Sequence, residues 1–352
     1  MKVAVYSISK NEESFIARWA ESAKDANMIL LVDTGSTDNT LQIAEDYDVT
    51  VKSIVVNPWR FDEARNKSMM FIPKDYDYCI ALDCDEVLLP GWREELEKMH
   101  DKGVTRPRYK YVWSWKEDGS EGLTYHGDKI HSRQNYVWKH PVHEVLRCTS
   151  VEVQDVCGVE IHHHPDSSKP RSQYLPLLKL SVEEEPDDDR NAYYYARELY
   201  YYGEYEEAAK QFKRHLALPS ALWRPERSRN MRYLAEIESG ERESWLLRAA
   251  GECPERREPW VDLAKYYYEQ SRWQGCLWAS ERALEVKVKP LEYLCEERAW
   301  DYHPYDYAAI ASFRLGLFDK ALDYGGKALE LSPDNQRLID NMDWYLKGVS
   351  DG

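Results

Sequence analysis

Residues 78–86 constrain this chain more than any other stretch, because an apolar run ends there abruptly in three carboxylates. The apolar run has the length of a buried strand, and open α/β sheets keep their chemistry beyond the carboxyl ends of such strands. Asp83 and Asp85 are two residues apart, so both carboxylates can reach one hard divalent cation, which prefers oxygen ligands and phosphate oxygens. An ordinary solvated turn is the competing interpretation of this stretch read by itself.

Three apolar segments precede this stretch at residues 3–8, 28–33 and 49–56, and helical patterns alternate with them. Strands and helices that alternate at short intervals predict a mostly parallel sheet wrapped by helices, the α/β class. The carboxyl ends of parallel strands converge, so Asp33 enters the same predicted crevice. Its carboxylate can accept the N3–H of a uracil ring or cap the turn at Gly35, and the residues alone favour the cap.

Composition limits the class of protein further. The chain has 352 residues, which exceeds the usual size of a single core and makes two domains the default. Its net charge of −16 disfavours a protein that holds nucleic acid or an anionic membrane by bulk electrostatics. The seven cysteines form no Cys-x-x-Cys pair, and neither a signal peptide nor an apolar stretch of membrane-spanning length is recognisable. We therefore expect a cytoplasmic protein with reduced cysteines and no transmembrane segment.

Four motifs occur in the order and at the spacing of a known family: residues 9–13 (SKNEE), 32–40 (VDTGSTDNT), 61–66 (FDEARN) and 82–86 (LDCDE). In these motifs the chain resembles the family 2 glycosyltransferases with the GT-A fold, which is Rossmann-like. The resemblance implies a nucleotide-sugar donor, with a uridine diphosphate (UDP) sugar as the first choice, bound together with Mn²⁺ or Mg²⁺. It places these residues in the donor pocket: Asn11, Glu12, Asp33, Arg65, Asn66 and Asp83.

The same resemblance implies a metal site built on Asp83 and Asp85. Seven of the ten histidines lie between residues 126 and 164, so further ligands are available downstream. We predict His143 and His164 as these ligands. Because side chains alternate along a strand, His162 shares a face with His164 and stays an alternative to it.

The family is inverting, which implies a carboxylate that takes the proton from the acceptor as the acceptor attacks the sugar. Glu144 is the first candidate for this general base. Asp128 and Glu86 are the alternatives.

The second half of the chain is helical and repeats a short motif, at residues 203–205, 271–273 and 316–318. Tyr205 and Trp273 are 68 residues apart, which is twice the roughly 34-residue period of a tetratricopeptide repeat. A degenerate copy near Gly240 fills the gap, and the longer last step predicts an insertion at about residues 287–303. The predicted domains are 1–168 for the sheet, 169–190 for a linker rich in proline and acid, and 191–352 for tetratricopeptide-like repeats.

Concave repeat surfaces commonly bind peptides or associate with themselves. We therefore expect the repeats to recognise a peptide, protein or glycan acceptor, or to form a homo-oligomer. Two other functions stay open at this stage. The basic segment 106–116 is the one local feature that favours a modified base in DNA as acceptor, and a repeat-based interaction protein with an inactive transferase domain is the non-enzymatic alternative.

Overall fold

The computed structural model describes residues 1–165 and 174–351, with side chains to residue 349. The chain divides into two compact units, Met1–Glu184 and Glu185–Gly352. The boundary predicted at residue 168, together with the first part of the predicted linker, lies outside the described residues. The rest of that linker contains a helix, Tyr174–Glu184, and the first residues of the next one.

The first unit contains strands and helices in alternation. Its strands are β1 (Val3–Ser9), β2 (Met28–Asp33), β3 (Thr50–Ser53), β4 (Tyr78–Ala81), β5 (Glu86–Leu88), β6 (Arg106–Val112), β7 (Thr124–Gly127), β8 (Ile130–Ser132), β9 (Tyr136–Lys139), β10 (Val145–Cys148) and β11 (Gln154–His163). Its helices are α1 (Ile16–Ser22), α2 (Thr40–Asp46), α3 (Phe61–Met70), α4 (Trp92–Asp101) and α5 (Tyr174–Glu184).

The central sheet has the strand order β3-β2-β1-β4-β8, in which β8 is antiparallel to β4 and the other neighbours are parallel. Side chains alternate between the two faces along each strand, and both faces are buried at β1 and β4. On one face Val5 and Ile80 belong to a core that includes Trp19 of α1. On the other, Tyr6 belongs to a core that includes Met69 of α3. The predicted mostly parallel sheet wrapped by helices is confirmed.

A second sheet has the order β5-β11-β6-β7, and β9 pairs with β10 as a separate antiparallel ribbon. Strand β11 lies between β5 and β6 and ends opposite the start of β5, where His163 pairs with Glu86. Since β5 begins just after Asp85, this pairing carries the end of β11 to the carboxylates that follow β4.

The second unit consists of helix pairs. Its helices are α6 (Asp189–Tyr201), α7 (Tyr205–Ala217), α8 (Arg224–Ile237), α9 (Arg242–Glu252), α10 (Arg257–Glu269), α11 (Trp273–Glu285), α12 (His303–Arg314), α13 (Phe318–Leu331) and α14 (Gln336–Asp351). The repeated motif falls on the turns within three pairs, where Gly203, Ser271 and Gly316 all adopt a positive φ. A left-handed residue is a common way to end a helix and reverse the chain, which explains why the motif recurs there.

The predicted degenerate copy corresponds to the pair α8 and α9, which are joined by a short 3-10 turn at Ser239–Glu241. The predicted insertion corresponds to the long connection between α11 and α12. Among the described residues, no helix combines the length and the apolar character that a membrane crossing requires.

Candidate active site

The site lies where β1, β2 and β4 end, because the loops that follow these strands are tied to one another. The backbone N–H of Asn11 donates to the Ser36 hydroxyl at 2.9 Å, and its side-chain oxygen accepts from the N–H of Thr37 at 2.8 Å. The N–H of Glu12 donates to the hydroxyl of Thr40 at 2.7 Å. The motif residues after β1 and β2 thus form one structural unit.

Asp33 holds the loop after β2 in place. Its carboxylate accepts from the N–H of Gly35 at 2.9 Å, from the N–H and hydroxyl of Ser36, and from the hydroxyl of Ser9 at 3.3 Å. Gly35 has a φ of +107°, which a residue with a side chain rarely adopts. A carboxylate offers about four acceptor positions. These bonds therefore fill the capacity of Asp33 and match the turn-capping role, while a contact with uracil stays a prediction.

Asp83 is held by two cations. Its Oδ1 accepts from Nη2 of Arg65 at 2.7 Å, and its Oδ2 accepts from Nζ of Lys129 at 2.5 Å. Although burial opposes the charge, Arg65 and Lys129 hold the pKa of Asp83 well below its usual value. No local sequence pattern indicated Lys129, which precedes β8 and reaches the site because β8 pairs with β4.

Arg65 connects several parts of the site while 4% of its side chain is exposed. Its Nε donates to Glu144 at 2.5 Å, and its guanidinium lies over the ring of Trp138 at 4.9 Å. Burial opposes its charge, yet Asp83 and Glu144 keep the pKa of Arg65 well above its ordinary value. Its Nη1 is buried and has no partner among the described residues. Arg65 therefore keeps one donor available for an additional acceptor.

Asn66, the next residue, has a structural role. Its side-chain amide donates to the carbonyl of Trp138 and accepts from the N–H of Trp138, both at 2.9 Å. This pair of bonds attaches α3 to β9. The predicted place of Asn66 in the donor pocket stays a prediction.

Asp85 faces an imidazole. Nε2 of His163 lies 3.4 Å from Oδ2 of Asp85, and Nδ1 of His163 lies 2.9 Å from the carbonyl oxygen of Trp113. A carbonyl only accepts, so Nδ1 carries a hydrogen, and in the neutral ring the lone pair on Nε2 faces the carboxylate. A proton or a metal cation between the two groups removes this conflict. Burial opposes protonation, but Asp85 and the Trp113 carbonyl raise the pKa of His163.

The pair formed by Asp85 and His163 fits a divalent metal. Carboxylate oxygen and imidazole nitrogen are ligands for Mn²⁺ and related ions, and a ligating histidine usually donates its other N–H to a carbonyl, as His163 does to Trp113. Trp113 also stacks on His163 with ring centroids 4.3 Å apart. Both oxygens of Asp83 are bound to basic side chains, so the structure assigns the two aspartates different surroundings.

The rings of the two predicted histidines contact aromatic side chains, and their role as metal ligands stays a prediction. The ring of His164 stacks on Trp115 at 6.0 Å, and its contact with Asp85 is a backbone bond from its N–H to the Asp85 carbonyl at 2.8 Å. The ring of His143 lies 5.7 Å from that of Tyr174. The side chain against Asp85 is that of His163, which the sequence analysis missed.

An available signal indicated His163. Val159 and Ile161 are apolar, and alternation along a strand puts residue 163 on their buried face. The histidines considered from the sequence, His162 and His164, lie on the opposite face of the strand.

The three predicted general bases all contact cations. Glu144 is bound to Arg65, and Asp128 is bound to Arg106 at 2.9 Å with 45% of its side chain exposed. Glu86 is 1% exposed and accepts from the hydroxyl of Tyr111 at 2.6 Å and from the N–H of Asp83 at 2.9 Å. Burial, followed by the charges of Asp83 and Asp85, raises the pKa of Glu86. Glu86 therefore supports the loop from inside the protein.

The depressed pKa of Asp83 predicts an acid-dependent stability. The ionised carboxylate stabilises the folded state above the ordinary aspartate pKa of about 3.9, and this contribution is lost as pH falls toward the lower pKa of the folded state.

We expect Asp83→Asn to lower the free energy of unfolding most at pH 7. The difference in this free energy from the unaltered chain should shrink below about pH 4. Urea unfolding at several pH values measures this. Asp101→Asn is the control, because 86% of the Asp101 side chain is exposed. A difference that is constant with pH would contradict the assignment.

Comparison with known proteins shows what the first unit is similar to. Residues 5–151 match the sequence model described as Glycosyl transferase family 2. All four sequence motifs lie within these residues, so the first unit is similar to family 2 glycosyltransferase domains, as the motifs implied.

Two curated relatives are uncharacterized glycosyltransferases of Rickettsia. The protein of Rickettsia typhi is 33% identical over 97 residues, which is 27% of this chain and 32% of the relative. The protein of Rickettsia bellii is 34% identical over 97 residues, with the same shares. The match therefore spans about a third of the length of these relatives.

Solved structures resemble parts of both units. Staphylococcus aureus TarS is 13% identical with a TM-score of 0.43, over 69% of this chain and 54% of TarS. The tetratricopeptide-repeat protein YrrB is 17% identical with a TM-score of 0.38, over 48% of this chain and 81% of YrrB. Both scores are below 0.5, so neither neighbour bears on function. The second unit consists of helix pairs, as its repeated motif predicted.

Proposed function

We propose that this protein is a metal-dependent, inverting glycosyltransferase that moves a sugar from a nucleotide diphosphate donor, with UDP-sugar as the first choice. The observation that carries the proposal is the pair formed by Asp85, just beyond β4, and His163, at the end of β11. Asp85 lies within the residues that match the family model. Asp85 and His163 would hold Mn²⁺ or Mg²⁺. When bound, the ion would neutralise the departing nucleotide diphosphate.

The residues around this pair supply the remaining functions of a donor site. Arg65 is held by Asp83 and Glu144 and keeps the buried Nη1 donor without a partner, which suits an oxygen of the nucleotide. Lys129 fixes the other oxygen of Asp83 and so keeps the loop in one conformation. In this proposal Asp83 positions Arg65 and does not need to bind the metal itself.

The proposal assigns the choice of acceptor to the helical unit, where a peptide, protein or glycan would bind, and leaves self-association as its other role. It also places the protein in the reducing cytoplasm. All seven cysteines are described, and none forms a disulfide, which supports this location.

A donor assay tests the proposal without knowledge of the acceptor. We expect the chain to hydrolyse one nucleotide sugar from a panel slowly in the presence of Mn²⁺, and to lose this activity when a chelator removes the ion. UDP with Mn²⁺ should raise the melting temperature more than either compound alone, because a ligand that binds only the folded state stabilises it. Hydrolysis that continues in the chelator would refute metal dependence. A panel without any turnover or thermal shift would favour the inactive interaction protein.

A further inference from the structure

A cavity of about 330 Å³ lies in the helical unit, and cationic side chains dominate its wall. The charged residues that line it are Arg229, Arg232, Arg242, Lys265, Arg298, Glu236, Asp262 and Glu296. Five cations and three carboxylates give the wall a net charge of +2, in a chain whose net charge is −16. A cleft lined mainly by one sign of charge concentrates ions of the opposite sign.

Two of these arginines form ion pairs within the protein. Arg232 is 4% exposed and is bound by Glu296 at 2.7 and 2.8 Å and by Asp262 at 2.6 Å. Arg229 shares Glu296 at 2.7 Å and lies over the ring of Tyr233. These ion pairs fix one part of the cavity wall, because each of their side chains is bound by at least one partner.

Two cations in the wall, Arg298 and Lys265, form fewer or longer contacts with carboxylates. Arg298 donates from Nη2 to the hydroxyl of Tyr307 at 2.7 Å, and its Nε is buried without a partner among the described residues. Within those residues, no carboxylate oxygen lies within 4.0 Å of the Arg298 guanidinium. Lys265 lies 3.7 Å from Glu269 and keeps 37% of its side chain exposed. Arg298, which lines the cavity, therefore has no carboxylate partner among the described residues.

We propose that this cavity binds an anionic group, a carboxylate or a phosphate carried by the acceptor, with Arg298 as its principal contact. This inference rests on the proposed function, in which the helical unit recognises the acceptor. A guanidinium presents its donors in a planar fork that matches both anions. The volume is at the lower end of the roughly 300–1,000 Å³ of ligand pockets, so it suits one or two side chains of an extended segment.

Titration calorimetry of the full chain with short peptides tests this inference. The probes are a capped tetraglutamate, a phosphoserine peptide of equal length, a capped tetraglutamine and inorganic phosphate. We expect an anionic peptide to bind at least tenfold more tightly than tetraglutamine, and Arg298→Gln to weaken that binding about tenfold, because a charge-assisted hydrogen bond is lost. Tighter binding of tetraglutamate identifies an acidic acceptor, and tighter binding of the phosphopeptide identifies a phosphorylated one.

Arg248→Gln is the matched control. Arg248 is exposed on α9, lies over the ring of Trp245 at 4.0 Å and does not line the cavity. The Arg248→Gln substitution therefore removes the same charge at a position outside the cavity. Lys265→Gln is a second variant in the wall, and we expect a smaller loss from it because Lys265 has a partner. Circular dichroism checks that each variant is folded.

Equal loss in Arg298→Gln and Arg248→Gln would overturn the inference, as would binding of inorganic phosphate alone or of no anion. Donor hydrolysis, measured on the same preparation, reports on the proposed function separately. A chain that hydrolyses donor but binds no anion would refute this inference only. A chain that does neither would refute both.

Discussion

Replacing Asp85 with asparagine is expected to reduce metal-dependent donor hydrolysis about a thousandfold. Stabilisation of the departing diphosphate by a metal is worth several kcal/mol, and about 4 kcal/mol corresponds to this factor. Asp85 is the aspartate that faces an imidazole, whereas both oxygens of Asp83 are bound to basic side chains. Initial rates across a range of Mn²⁺ concentrations measure the effect. Mn²⁺ binding in the presence of UDP provides a second measurement that does not depend on turnover. The electron paramagnetic resonance signal of free Mn²⁺ monitors this binding.

Two controls make this prediction specific. Asp101→Asn changes an exposed aspartate on α4 and should leave both readouts unchanged. His163→Ala should weaken Mn²⁺ binding at least tenfold, while His164→Ala should not, because the His163 ring lies 3.4 Å from Oδ2 of Asp85 and the His164 ring stacks on Trp115. Loss of Mn²⁺ binding in the His164 variant, with retention in the His163 variant, would restore the metal site predicted from the sequence.

Replacing Arg65 with methionine is expected to lower the free energy of unfolding of the first unit by about 3–5 kcal/mol. Arg65 is buried between Asp83 and Glu144, and removing one member of a buried ion pair leaves uncompensated charge. For a domain of this size each kcal/mol shifts the melting temperature by about 2–4 °C, so we expect a fall of about 10 °C. Differential scanning calorimetry of the full chain measures it.

Arg18→Met is the control for this second prediction, because Arg18 is exposed at α1 and lies near the ring of Phe15. The melting temperature of Arg65→Lys should lie between those of Arg65→Met and Arg18→Met. An ammonium keeps the charge but lacks the planar fork of donors that reaches both carboxylates. If Arg65→Met melts within 2 °C of the unaltered chain, the ion pairs around Asp83 contribute little to stability.

Local sequence patterns were sufficient to predict the elements whose structure depends on neighbouring residues in the sequence. The apolar runs predicted β1, β2 and β4 of the central sheet, because a strand buried on both faces needs a continuous apolar run. The repeat motif predicted three of the helix pairs, because the turn within each of these three contains a left-handed residue such as Gly203 or Gly316. The motif at residues 82–86 was correctly placed beyond β4, since open sheets expose that end of their strands.

The sequence by itself determined the two units, the class of the first and the place of the carboxylates. The tertiary structure decided which groups those carboxylates meet. Arg65 is 18 residues from Asp83 and 79 from Glu144, and Lys129 is 46 from Asp83, so no local pattern relates them. His163 reaches Asp85 because β11 pairs with β5. Ion pairs depend on distance in space, and strand pairing between distant segments sets that distance.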